Sequence, residues 1–228
     1  MNAGPAGPQF CDELLLHGPG GSVRVVVETA PVRPPRTVAE QHRAGRLATA
    51  AALRRAGSRV RTVGRRRDGA PKFPPGIAGS LTHTEDLAVA AVAPGARGVG
   101  VDLEPRLPER RLHRFLLNEE ERALLWRDGD RAGLRRLFAA KEAAFKALSG
   151  YRGAHGGLFW RVRLVLFGDQ LWARAGDQYA LVRAAAAPDF AFAVAVRLDE
   201  PPPFANSPRT QRAWRPATER GPQPPHRL

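Results

Sequence analysis

Lysine is nearly missing from this chain. It stands at three positions, Lys72, Lys141 and Lys146, although 36 of the 228 residues are lysine or arginine. A GC-rich genome produces that preference. It makes each remaining lysine informative, because a generic positive charge is met by arginine. Cysteine occurs once, at Cys11, which excludes an internal disulfide and a cysteine-built zinc cluster. Long apolar runs are missing too. The longest, 87–94 and 190–196, fall far short of the roughly 20 residues that span a bilayer. The first ten residues lack the basic and apolar blocks of a signal peptide. A soluble, cytoplasmic protein with no membrane span is expected. Acidic residues number 22 against 36 basic ones, for a formal net charge of +14. That charge favours anionic partners and says nothing about the fold.

What is present reads as a chain of mixed elements. Apolar residues make up 43%, enough to bury a core. Period and propensity predict strands over 22–28, 59–63, 87–93, 99–103, 161–167, 171–174, 179–184 and 190–197. They predict helices over 37–56, 118–126 and 130–148, with Asn118 as a cap. The strands at 87–93 and 99–103 read as neighbours joined by a turn at Pro94-Gly95. Segments 64–79 and 150–157 read as loops. Helices and antiparallel strands mix without regular βαβ alternation, so the class is α+β. The order strand, helix, strands recurs in both halves and suggests two similar lobes. The expected organisation is a loose lead-in over 1–20, an N-terminal lobe over 21–105, a C-terminal lobe over 106–199 and a disordered Pro/Arg-rich tail over 200–228.

The scarce acids fall into motifs. Residues 100–105 read Gly-Val-Asp-Leu-Glu-Pro. On a strand Asp102 and Glu104 project to one face. Two carboxylates there can share a hard cation; the plainer reading is a strand end with two solvated acids. Residues 137–146 read Leu-Phe-Ala-Ala-Lys-Glu-Ala-Ala-Phe-Lys. Leu134, Leu137, Phe138, Lys141, Phe145 and Leu148 form a stripe at helical spacing. Glu142 lies at its edge and Lys146 one turn on, where a surface Glu–Lys pair is the plainer reading. Lys141, inside the stripe, is expected to snorkel to the edge or to face a bound anion. Gly79-Ser80-Leu81-Thr82-His83-Thr84 sets a histidine among hydroxyls at a loop-to-strand junction, a set that can bind phosphate. The 37–56 helix carries Arg46 and Arg54 on roughly one face. Arg59, Arg61, Arg65, Arg66, Arg67 and Lys72 follow, against Asp68. Arginine forks suit phosphates, although codon bias alone also gives a basic face.

These elements, in this order, resemble the Sfp-type 4′-phosphopantetheinyl transferases, in particular the branch of the enterobactin synthase transferase. The matching pieces are AEQHRAGRLATAAALRRAG (39–57), PKFPPGIAGSLTHT (71–84), GVGVDLEP (98–105), LNEEERALL (117–125) and LFAAKEAAFKAL (137–148). The resemblance implies two similar α+β lobes with the site at their junction. It implies magnesium held by Asp102, Glu104 and Glu142, with manganese able to substitute, and coenzyme A as donor. Thr82 and His83 would meet the phosphates, Arg46 and Arg54 the 3′-phosphate end, and Lys146 the pyrophosphate. A lysine usual in the family's loop aligns near Asp68, which leaves Arg67 or Lys72 to make that contact. Phe73 stands where the branch usually has tryptophan, and Phe138 where other Sfp-type members do. Gln41 replaces a common glutamate.

The implied reaction is attack by a serine hydroxyl of an apo acyl or peptidyl carrier protein on the β-phosphate of coenzyme A, releasing 3′,5′-adenosine bisphosphate. Phosphoryl transfer needs positioning and charge neutralisation, which accounts for acids inside a basic pocket. Glu142 is the expected base, with Lys146 and Asp102 completing the catalytic set. Carrier proteins are commonly acidic, which suits the basic body. A single chain holding both lobes suggests a monomer. Two rivals remain, a basic nucleic-acid-binding protein and a metal-dependent nuclease. The first leaves the paired motifs without a role and shows no binding motif. The second usually carries its final acid and lysine two apart on a strand, whereas here they are four apart on a helix. Nucleic acid is therefore not an expected partner.

Overall fold

The structure, a computed structural model of the chain, describes residues 12–67, 70–149 and 158–202. The loop at Asp68, the glycine-rich segment 150–157 and the tail beyond 202 lie outside the described residues.

The chain opens with β1 (Asp12–Gly18) and β2 (Gly21–Pro31), an antiparallel hairpin pairing Gly18 with Gly21. The expectation of a loose lead-in over 1–20 therefore fails from residue 12 onward: Leu14 and Leu16 turn inward, and Leu15 between them faces solvent. Next comes α1 (Val38–Arg55). The Thr37 hydroxyl accepts from the Glu40 N–H at 3.3 Å, and Gly57 beyond the helix adopts a positive φ of 80°. The predicted strand at 59–63 does not form. Two short strands, β3 (Gly64–Arg65) and β4 (Pro71–Lys72), pair instead inside the expected loop. Then follow β5 (Ile77–His83), β6 (Leu87–Pro94) and β7 (Gly98–Glu104). The helices α2 (His113–Leu116), α3 (Glu119–Leu125) and α4 (Arg131–Leu148) come next. The described part closes with β8 (Arg163–Phe167), β9 (Gln170–Ala175), β10 (Gln178–Ala186) and β11 (Ala191–Arg197).

The class is α+β. One antiparallel sheet runs β1-β2-β6-β5 and a second runs β7-β11-β10-β9-β8. So β6 and β7 are not hydrogen-bonded neighbours. The partner of β7 is β11, with Val101 opposite Val194. Residues 98–104, assigned above to the N-terminal lobe, are part of the second sheet.

Strand alternation makes the layers. On β6, Ala88, Ala90 and Val92 face α1, where Ala44, Ala48, Ala52 and Leu53 are buried. Val89, Ala91 and Ala93 face the opposite way. They join Val25, Val27, Val99, Val101, Leu103, Val194 and Val196 in a core between the two sheets. The outer face of the second sheet is covered by α4 through Leu134, Leu137, Ala140, Ala144 and Leu148. No described helix is long and apolar enough to cross a membrane.

Candidate active site

The site begins with two glycines. Along β7, Val99, Val101 and Leu103 point into the core between the sheets, so Gly98, Gly100, Asp102 and Glu104 share the face beneath α4. A methyl group on Gly100 would overlap the carbonyl oxygen of Ala143, and one on Gly98 that of Ala147. The helix thus lies directly on the strand backbone. The same closeness brings Glu142 and Lys146 over the two acids that follow the glycines.

Asp102 is buried, at 4% exposure. Its Oδ1 accepts from Lys146 Nζ at 2.6 Å and from the Thr82 hydroxyl at 3.1 Å. Lys146 Nζ also donates to the Val101 carbonyl at 3.1 Å. Among the described residues Asp102 Oδ2, which is buried, has no hydrogen-bond partner. Beside it the Glu104 carboxyl is pushed up to about 7, first by burial, then by the neighbouring Asp102 carboxylate, then by Glu142; Lys146 opposes. Burial likewise raises Glu142, with Lys146 pulling it down and Asp102 pushing it up. Three carboxylates thus face one ammonium; for Glu104 and Glu142 burial is the first cause of the rise, and the neighbouring negative charge adds to it. Among the described residues no group of three or more His, Cys, Asp or Glu side chains has the geometry of a formed metal site.

The first sheet reaches this cluster through β5. Leu81 and His83 share one face, toward α1, and Ser80 and Thr82 the other, toward β7. The Ser80 hydroxyl accepts from the Val101 N–H at 3.1 Å, so a side chain closes the open edge of β7. His83 is exposed and is the last residue of β5, where that strand meets the short loop before the apolar strand β6. Arg46 and Arg54 are exposed on α1, Arg67 on the turn after β3, and Lys72 on β4. Among the described residues no hydrogen bond or ion pair joins these five to the carboxylates. The structure therefore gathers Thr82, Asp102, Glu104, Glu142 and Lys146, and leaves Arg46, Arg54, Arg67, Lys72 and His83 on the surrounding surface.

Lys141 does neither of the things expected of it. It is 2% exposed and donates to Glu121 Oε2 at 2.9 Å. Glu121 Oε2 also accepts from the Asn118 N–H, completing a capping box, and Oε1 accepts from the Leu164 N–H at 2.6 Å. One ion pair thus ties α3, α4 and β8 together. Desolvation lowers the Lys141 pKa while Glu121 holds it up. The Asn-x-x-Glu spacing was the available signal for the box; nothing local pointed to the lysine partner. Lys141→Met alone should cost about 3–5 kcal/mol, because it strands a buried carboxylate. Adding Glu121→Gln should recover part of that loss, as urea melts of the single and double variants would measure.

The arrangement defines a class that sequence comparison names. A family model for the 4′-phosphopantetheinyl transferase N-terminal domain matches residues 36–93, and one for the 4′-phosphopantetheinyl transferase superfamily matches residues 98–174. Together they cover more than half of the chain, and they meet where one sheet gives way to the other. The chain belongs to the 4′-phosphopantetheinyl transferase superfamily. It is 42% identical over 89 residues to 4′-phosphopantetheinyl transferase Npt of Nocardia iowensis, covering 37% of this chain and 40% of the relative. It is 40% identical over 88 residues to 4′-phosphopantetheinyl transferase Svp of Streptomyces mobaraensis, covering 36% of each. It is 33% identical over 115 residues to enterobactin synthase component D of Salmonella typhi, covering 48% and 47%. Each match spans less than half the length of the curated relative.

Proposed function

We propose that this protein transfers the 4′-phosphopantetheine moiety of coenzyme A to a serine of apo acyl or peptidyl carrier proteins, releasing 3′,5′-adenosine bisphosphate. One observation carries the reading: three carboxylates, Asp102, Glu104 and Glu142, are answered by a single ammonium, Lys146, within a chain of net charge +14.

Asp102, Glu104 and Glu142 would hold a divalent cation, magnesium, with manganese able to substitute. The residues fit such an ion. The donors are hard oxygens, Asp102 Oδ2 is a buried acceptor without a partner among the described residues, and Glu104 is lifted to about 7 by burial and then by the neighbouring carboxylates. A magnesium site needs only one or two carboxylates when substrate phosphates complete it, so a formed cage of protein ligands is not required. When bound, the ion neutralises the pyrophosphate.

The chain's own residues do the rest. Glu142, its pKa raised by burial, is suited to take the proton from the carrier serine. As that proton passes to Glu142, the serine oxygen bonds to the β-phosphorus. The bond from this phosphorus to the bridging oxygen breaks, and the electron pair leaves with adenosine bisphosphate. Lys146 stabilises the charge that grows on the departing oxygen. Thr82 and Lys146 fix the carboxylate of Asp102. Arg46 and Arg54, on α1, would take the 3′-phosphate end, with His83, Arg67 and Lys72 on the other phosphates. We read the protein as a single chain working in the cytoplasm.

Incubation with coenzyme A, magnesium and an apo carrier protein, followed by the intact mass of the carrier, tests this. The expected result is gain of one phosphopantetheine, lost on chelation and restored by magnesium. No gain across several competent carriers overturns the reading. Arg54→Ala should raise the KM for coenzyme A about tenfold, the worth of one charge-assisted hydrogen bond. It should also shrink the penalty for dephospho-coenzyme A. An unchanged preference between the two donors removes Arg54 from the 3′-phosphate.

A further inference from the structure

Arg135 sits in the second turn of α4 and is 1% exposed. Among the described residues it forms no ion pair. Its Nη1 donates to the Pro105 carbonyl at 3.2 Å. Its Nη2 donates to the carbonyls of Ala187 at 2.6 Å and Pro188 at 3.0 Å. Its Nε is buried without a hydrogen-bond partner among the described residues. A buried guanidinium served by carbonyls alone is costly, and an apolar side chain of similar volume would stabilise the helix face more cheaply. The position is therefore explained by what the fork holds.

The three carbonyls share one place in the fold. Pro105 is the first residue beyond Glu104, at the exit of β7. Ala187 and Pro188 form the turn between β10 and β11, and Ala191, the first residue of β11, pairs with Glu104. Glu104 is thus the last ladder residue of its strand, with no further strand pairing to fix its backbone. One turn earlier on the same helix, the exposed Arg131 donates to the carbonyls of Pro108 at 3.1 Å and Leu107 at 3.3 Å. The first half of α4 grips the exit of β7, and the second half carries Glu142 and Lys146.

We propose that Arg135, backed by Arg131, is a positioning residue for Glu104: its fork locks the end of β7 to the helix that bears Glu142, so that the Glu104 carboxylate stays registered beside Asp102 and Glu142. This rests on the reading of those three carboxylates as the divalent-cation site. A lysine cannot replace the arginine, because a single ammonium does not span carbonyls on two separate segments.

The test is manganese binding by the full-length protein, read from the free-ion electron paramagnetic resonance signal with coenzyme A present and carrier protein absent, so that nothing turns over. Arg135→Lys, Arg135→Gln and Arg131→Ala are compared with Asp102→Asn, and with Leu16→Ala as a destabilised core variant on β1, the edge of the first sheet opposite β5. Asp102→Asn should abolish binding. The Arg135 variants should weaken it about tenfold, the usual scale for residues that orient metal ligands, and Arg131→Ala about threefold. In carrier assays the Arg135 variants should need more metal for half-activity yet regain most of the kcat at saturation. Leu16→Ala should lower the melting temperature and leave manganese affinity unchanged.

If the wild type binds no manganese, or Asp102→Asn binds it equally, the cation-site reading falls and the proposal with it. If the wild type binds and the folded Arg135 variants bind as tightly, the positioning role is overturned while the site stands. Should both Arg135 variants fail to fold, Arg131→Ala decides, and unchanged affinity there overturns the clamp.

Discussion

Asp102→Asn is expected to lower turnover by at least about 100-fold while leaving the protein folded. The two halves of that expectation have separate causes. Asparagine keeps the shape of aspartate, and its carbonyl oxygen can still accept from Lys146 and Thr82, as Asp102 Oδ1 does now at 2.6 and 3.1 Å. The amide would replace Oδ2, a buried oxygen that has no partner among the described residues. It would also remove one of the charges that lift Glu104 to about 7. Stability should therefore change by no more than about 1 kcal/mol, in either direction. Activity should respond quite differently, because the lost charge is the one that Lys146 and the proposed cation would share. Asp102→Ala is a poorer probe, since it opens a space and frees the ammonium at once. Single-turnover transfer at saturating coenzyme A, alongside a thermal melt, separates the effects. A folded Asp102→Asn variant that turns over within tenfold of the wild type would remove Asp102 from the chemistry.

Much of this site could be read in the sequence because its parts are local. The same-face geometry of Asp102 and Glu104 follows from the strand period alone. The start of α1 is written in Thr37, and that of α4 in Asp130, whose carboxylate accepts from the Gly133 N–H at 2.7 Å. What escaped depends on distant partners. Nothing near β7 says that it will pair with β11 rather than β6, because that choice is settled by a strand almost ninety residues later. Lys141 looked anomalous in an apolar stripe, but its explanation, Glu121, lies on another helix. Arg135 was lost among so many arginines, since only burial separates a clamp from a solvated side chain. The hairpin at β1 was hidden by its place near the end of the chain. Gly98 and Gly100 read as parts of a motif; that they are the contact surface for α4 needs the helix in position.

That contact surface gives the second large effect. Gly100→Ala should lower stability by at least about 3 kcal/mol, the upper range for overpacking, and transfer should fail with it. The added methyl would meet backbone rather than a side chain that can swing away. It would overlap the Ala143 carbonyl oxygen and come within 2.8 Å of the Ala147 nitrogen. Relief requires α4 to lift off β7, which strains the buried packing of Ala143, Ala144 and Ala147 against the second sheet. The same movement parts Lys146 from Asp102, now 2.6 Å apart. Stability and chemistry thus fail together here, in contrast to Asp102→Asn. Gly64→Ala is the matched control. A methyl group there meets nothing within 4 Å, and no positive φ opposes it, so it should stay within about 0.5 kcal/mol of the wild type. For a domain of this size 1 kcal/mol moves the midpoint by roughly 2–4 °C. Gly100→Ala should therefore melt about 6–12 °C below wild type, and Gly64→Ala within about 2 °C. A Gly100→Ala protein that melts with the wild type would show that the helix does not rest on the strand backbone, and that the carboxylates and Lys146 are brought together by something other than this pair of glycines.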